Sequence, residues 1–95
     1  MPEMRFHIRW PDGRREACYS PSLVIKEHLE AGRAYPLDEF VARSRTALTI
    51  ASERVQARYG FPCGLALGQL ARIEAQARVQ AAAPDGIVHV EAFAE

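Results

Sequence analysis

The stretch MRFHIRWPDGRREACYS, Met4 to Ser20, alternates from its first residue. Met4, Phe6, Ile8 and Trp10 form one set and Arg5, His7 and Arg9 the other, the period-two pattern of a strand with one face in a core and one in water. Trp10-Pro11-Asp12-Gly13-Arg14 follows, with Pro preset for the first central turn position, Asp for the second and Gly for a left-handed bulge position. Arg15 to Ser20 alternates again, so the segment predicts a hairpin. A three-residue loop sets Trp10 opposite Arg14, Ile8 opposite Glu16, Phe6 opposite Cys18 and Arg5 opposite Tyr19. Cys18 then joins the core face, while Arg5, His7, Arg9, Arg15 and Tyr19 gather on the other.

Beyond the hairpin the period changes. SPSLVIKEHLEAGRAYPL carries the apolar group Leu23, Val24, Ile25 and Leu29, enough for a short helical segment after Pro21 that Gly32 and Pro36 keep short. From Asp38 to Tyr59 there is no Gly or Pro, and Phe40, Ser44, Ala47, Leu48, Ala51, Val55 and Tyr59 recur at steps of three and four, as on an amphipathic helix. Asp38 and Glu39 suit its positive N-terminal end and Arg54 and Arg58 its last turns. Gly60 is placed for a left-handed stop, with Phe61 set for the accompanying apolar contact and Pro62 blocking continuation. A second helix is expected from about Cys63 to Ala82, its stripe Cys63, Ala66, Leu70, Ile73 and Ala77, with alanines that suit close helix contact. Pro84-Asp85-Gly86 breaks it. Ile87 to Phe93 (IVHVEAF) is β-branched and aromatic enough for a last strand, with Val88, Val90 and Ala92 expected toward the helices and Ile87, His89, Glu91 and Phe93 away from them.

These elements predict an α+β fold over residues 1–95 as a single domain. The N-terminal hairpin and the C-terminal strand form a small, at least partly antiparallel sheet, covered on one face by two main helices and the short helical segment. A chain of 95 residues buries roughly 60 to 65% of the surface its unfolded form exposes, which leaves room for one modest core. Hydrophobic content of 48% and charged content of 25% fit a globular protein. The 12 basic and 12 acidic side chains cancel, so no overall field steers the chain to nucleic acid or to an anionic membrane. No stretch is long and apolar enough for a signal or a bilayer span, and a cytoplasmic location is expected. Cys18 and Cys63 are too few for a disulfide framework and lack zinc or thioredoxin-like spacing. Neither a metal site nor a cofactor is expected.

The segments RFHIRWPDG, CYSPS, GRAYPLDEFVARSRTAL, ASERV and YGFPC together resemble the small bacterial family of nitrogen starvation response proteins. The resemblance runs from about Met4 to Cys63 and is weaker through the second helix and last strand. Gly64-Leu65-Ala66-Leu67-Gly68 is more glycine-rich than the family pattern. The resemblance implies a setting, a gene cluster that holds a nitrilase and is linked to nitrile and cyanide assimilation, and it carries no active site onto positions here.

The densest polar group is the outer hairpin face. Arg5, Arg9 and Arg15 offer planar forks for a carboxylate or another small anion, His7 can change charge near neutral pH and Tyr19 adds a hydroxyl. Three readings compete: a solvated strand face, an interface, for which Arg and Tyr are favoured residues, and a ligand site. Arg33 and Tyr35 form a candidate loop site before a helix N-terminus, although Tyr35 also suits a hydrophobic staple. Cys63 is a candidate thiol, because a helix N-terminus favours thiolate, but its place on an apolar stripe argues against access. The expected function is that of a small non-catalytic accessory or interaction protein in nitrogen starvation or nitrile and cyanide assimilation, associating with itself or with pathway proteins. The alternative is a small enzyme or anion-ligand sensor using the Arg-rich face or Cys63. DNA regulation through Arg43, Arg45, Arg54 and Arg58 ranks third, since Glu39 and Glu53 offset that charge, and no nucleic-acid partner is expected.

Overall fold

The computed structural model describes residues 2–81 and 86–95. The hairpin forms as its alternation requires: β1 (Met4–Arg9) and β2 (Arg15–Ser20) pair antiparallel with Ile8 opposite Glu16, Phe6 opposite Cys18 and Arg5 opposite Tyr19. The Trp10 N–H donates to the Arg14 carbonyl at 2.8 Å and the Gly13 N–H to the Trp10 carbonyl at 2.8 Å. Gly13 takes φ 93°, which an L side chain rarely adopts. The Asp12 carboxylate accepts the Arg14 N–H at 2.9 Å and so fixes the turn from its side chain.

α1 (Ile25–His28) is one turn, and β3 (Ala34–Pro36) follows it. α2 (Leu37–Tyr59) starts directly from β3 and ends at Gly60, whose φ of 90° and N–H bond to the Gln56 carbonyl at 2.8 Å close the helix as expected. α3 (Gly64–Gln80) runs back, and β4 (Ile87–Ala94) returns through the sheet. The expected break at Pro84-Asp85 and the expected helix end at Ala82 lie outside the described residues.

The sheet has order β2-β1-β4-β3 and every pairing is antiparallel. Met4, Phe6, Ile8, Trp10, Cys18, Val88 and Val90 line its inner face and meet Phe40, Ala47 and Leu48 of α2, Ala66 and Ile73 of α3, and Ile25 and Leu29 from the α1 region. Trp10 anchors one end. Its ring lies edge-on to Phe40 with centroids 5.7 Å apart, and its indole N–H reaches Glu16 Oε1 at 3.0 Å. That bond accounts for a glutamate on the core side of β2: it sits at the rim and satisfies the buried indole. α3 covers part of the exposed edge of β2, where the Gln69 side-chain oxygen accepts the Tyr19 N–H at 3.0 Å.

Three expectations need correction. The segment expected as a loop before the long helix contains β3, which pairs Tyr35 with Val88 and Pro36 with Ile87. A three-residue strand ending in proline carries too little periodicity to show in the sequence. The last strand does not keep one alternation: a register shift falls between His7 and Ile8, so that Ile8 pairs with Val90 but His7 pairs with Ala92, leaving Glu91 as the extra residue of a bulge. Beyond the bulge the faces exchange, Ala92 is exposed and Phe93 packs against the core, the reverse of the expected facing. Phe61 makes no helix-stop contact that shields it and is 65% exposed, and Tyr59, expected at the end of the buried stripe, is 55% exposed. α2 simply outruns the core.

Candidate functional site

The helices leave the other side of the sheet open. Alternation in β1 and β2 puts Arg5, His7, Arg9, Arg15 and Tyr19 there, and the pairing of β1 with β4 adds His89 opposite Arg9 and Ala92 opposite His7. All five predicted face residues therefore share one surface. Arg9 and Arg15 are direct cross-strand partners, a juxtaposition of like charges that is unfavourable alone. Glu91, delivered by the bulge, answers both: its carboxylate is 3.2 Å from Arg15 Nε and 4.0 Å from Arg9 Nε. The Arg5 guanidinium lies over the Tyr19 ring, 5.5 Å from the centroid. Partial burial, and then the hydrogen bond and charge of Glu3, push the Tyr19 hydroxyl above the usual phenol range, so it is a neutral hydroxyl rather than an anion here.

Two shallow depressions flank Glu91. One, of about 160 Å³, is bordered by His7, Arg15, Ala17 and Glu16. The other, of about 250 Å³, is bordered by Arg9, Gly32, Arg33, His89 and the Val90 backbone strand. The second joins residues that the sequence kept apart, since Arg9 belongs to the hairpin face and Arg33 to the loop before β3. The loop is tied to the sheet by backbone bonds, Gly32 N–H to the Val90 carbonyl at 2.7 Å and Val90 N–H to the Arg33 carbonyl at 2.8 Å. Sequence alternation already set His89 and Glu91 on the outer side, but it held no signal that β4 would lie beside β1 and bring them to Arg9.

Tyr35, the other member of the loop pair, turns inward. It is buried, its hydroxyl accepts the Glu30 N–H at 3.0 Å, and the guanidiniums of Arg33 and Arg43 lie 5.7 and 4.9 Å from its ring centroid. Arg33 stays at the surface, with Nη1 bonded to Glu30 at 2.7 Å. The loop pair is thus split, Tyr35 to the fold and Arg33 to the depression.

The two thiols are unbridged. Cys18 is fully buried; desolvation, with the Glu16 carboxylate adding to it, raises its pKa far beyond the ordinary thiol range and leaves it inert as a nucleophile. Cys63 is half-buried at the start of α3, with its N–H donated to Ser52 Oγ at 3.2 Å. Among the described residues no group of three or more His, Cys, Asp or Glu side chains converges as metal ligands, and no helix is long and apolar enough to cross a membrane. Three of the four arginines of α2 are engaged within the fold, Arg43 with Glu39 and the His28 carbonyl, Arg45 with Glu74, and Arg54 with Ser22 Oγ, while the Arg58 guanidinium lies 5.7 Å from the centroid of the neighbouring Tyr59 ring.

Fold and surface together define a small α+β domain whose antiparallel sheet is helix-covered on one side and carries a cation-rich polar face on the other. The chain belongs to the family described as nitrogen starvation-induced protein NitG, whose model matches residues 5–93. That span includes the second long helix and most of the last strand, beyond the segments that carry the resemblance in sequence. No curated protein and no solved structure matches the chain.

Proposed function

We propose that this chain is a non-catalytic interaction protein of the nitrogen-starvation response, which docks an acidic surface of a partner protein on its open sheet face. The observation that carries this reading is the face itself: three strands present Arg5, Arg9, Arg15, His7, His89 and Tyr19 with no helix over them, on a chain whose net charge is zero. Its three guanidiniums outnumber the carboxylates of Glu3 and Glu91, so a second copy brings like charge to like and an acidic partner is the better complement. Arginine and tyrosine are also the residues that anchor interfaces. The family supports the nitrogen-starvation setting. The nitrile- and cyanide-assimilation enzymes of the gene cluster implied by the resemblance are the first partners to try.

Ala17 and Ala92 are exposed and flank His7 on this face, while Ala57 is exposed on α2. A photo-crosslinking residue at each position, used in nitrogen-starved cells, tests the proposal. The expected result is an adduct from Ala17 and Ala92 but not from Ala57, mapped to an acidic segment of one partner and lost in Arg9→Ser/Arg15→Ser. An adduct of the chain with itself makes the face a homo-oligomer contact and overturns the acidic-partner reading, as does equal labelling from Ala57.

A further inference from the structure

The depression bordered by Arg9, Gly32, Arg33, His89 and Glu91 holds more donors than the fold uses. A guanidinium carries five N–H donors. Among the described residues, Arg33 spends Nη1 on Glu30, Arg9 only approaches Glu91 at 4.0 Å, and the His89 ring makes no hydrogen bond. Among the described residues the only carboxylate in the lining is that of Glu91, which lies closer to Arg15 than to Arg9. The depression, of about 250 Å³, has room for a four-carbon dicarboxylate together with bridging waters. The backbone on one wall is held in place by the Gly32 and Val90 hydrogen bonds, so a ligand meets guanidiniums on anchored elements.

We propose that this depression is a binding site for a small dicarboxylate, with Arg9, Arg33 and His89 supplying the donors. The site does not rest on partner docking: it belongs to the isolated chain and uses Arg33, which lies in the loop before β3 and outside the hairpin face. Guanidinium forks pair with carboxylates through parallel charge-assisted bonds, and two of them on separate elements select a ligand with two carboxylates over one with a single carboxylate. Glu91 opposes the second charge and limits affinity.

The test is a titration of the purified chain with succinate, with acetate and inorganic phosphate as separate arms, followed by amide and guanidinium shifts in heteronuclear NMR at constant ionic strength. Saturable shifts are expected at Gly32, Arg33, His89 and Val90 with succinate, and at least about tenfold weaker binding of acetate and of succinate to Arg9→Ser or Arg33→Ser. Glu91→Gln is expected to tighten succinate binding, and Arg58→Ser, at the far end of α2, to leave it unchanged. Folding of each variant is read from the dispersion of the same spectra. Non-saturating shifts spread over all arginines overturn the proposal, as does phosphate binding more tightly than succinate or a Glu91→Gln variant that binds less.

Discussion

Replacing Arg9 and Arg15 together with serine separates the outer face from the fold, and the structure sets how large each effect should be. Arg15 reaches Glu91 at 3.2 Å with its side chain 72% exposed, and Arg9 reaches the same carboxylate at 4.0 Å with 40% exposed. Exposed ion pairs contribute about 0.2–1 kcal/mol, and the longer contact belongs at the low end. Removing both arginines also removes their cross-strand repulsion, which offsets part of the loss. The net cost is therefore within about 1 kcal/mol, or a fall in Tm of no more than about 8 °C for a domain of this size. Partner binding behaves differently, because an interface arginine truncated to a small residue costs about 2 kcal/mol or more, roughly 30-fold in Kd. Thermal unfolding followed by circular dichroism gives the first quantity and calorimetric titration with the crosslinked partner the second. A variant that fails to fold, or one that folds and binds its partner with undiminished affinity, would refute the reasoning: the first makes the face structural, the second makes it idle.

Other outcomes follow from particular contacts. Trp10→Phe keeps the edge contact with Phe40 but strands Glu16, and should cost about 1.5–3 kcal/mol in urea unfolding, a cost that shrinks in a Glu16→Gln background if the 3.0 Å indole bond is its source. Cys18 stays neutral when folded while an exposed thiol ionises at about pH 9, so its contribution is complete below that pH and is lost as pH rises, at a slope approaching about 1.4 kcal/mol per pH unit. Urea midpoints at pH 8 and 10 measure it, and Cys18→Val should flatten the difference. Gel-shift assays with duplex DNA at physiological salt should show no complex, since Arg43, Arg45 and Arg54 are held by Glu39, Glu74 and Ser22. A complex abolished by Arg43→Ala/Arg45→Ala reverses that expectation.

The hairpin was legible because three independent signals agreed: alternation, the Pro-Asp-Gly turn, and a loop length that fixes register. α2 and its stop at Gly60 were equally plain from an uninterrupted stripe and a left-handed glycine. β3 was not, because Ala34-Tyr35-Pro36 has one inward residue and its partner strand lies far along the chain. The open face was legible residue by residue within the hairpin, yet its completion by His89 and Glu91 needed the order of strands, a non-local outcome of core packing. Arg33 stands out in the sequence by its loop and helix-start context, and it joins Arg9 only because β3 pairs with β4. The inward turn of Tyr35 answers to the same pairing.

The bulge at Glu91 changes the phase of the last strand. Before it, even-numbered residues point inward, as Val88 and Val90 do; after it, Phe93 does, and the even-numbered alanines turn to water. One strand is thus written in two frames, and Glu91 is the inserted letter between them. Deleting that residue would remove the bulge and leave a regular ladder, with Val90 inward opposite Ile8, Ala92 outward opposite His7 and Phe93 inward opposite Phe6, every pair kept. A chain shortened there keeps its aromatic core residue, but leaves Arg9 and Arg15 facing each other with no carboxylate between them. A one-residue insertion or deletion elsewhere in β4, with the bulge kept, instead shifts the neighbouring segment by one residue and exchanges its inward and outward side chains. At Glu91 itself, loss of the residue therefore costs the outer face its carboxylate while the inner side chains keep their places.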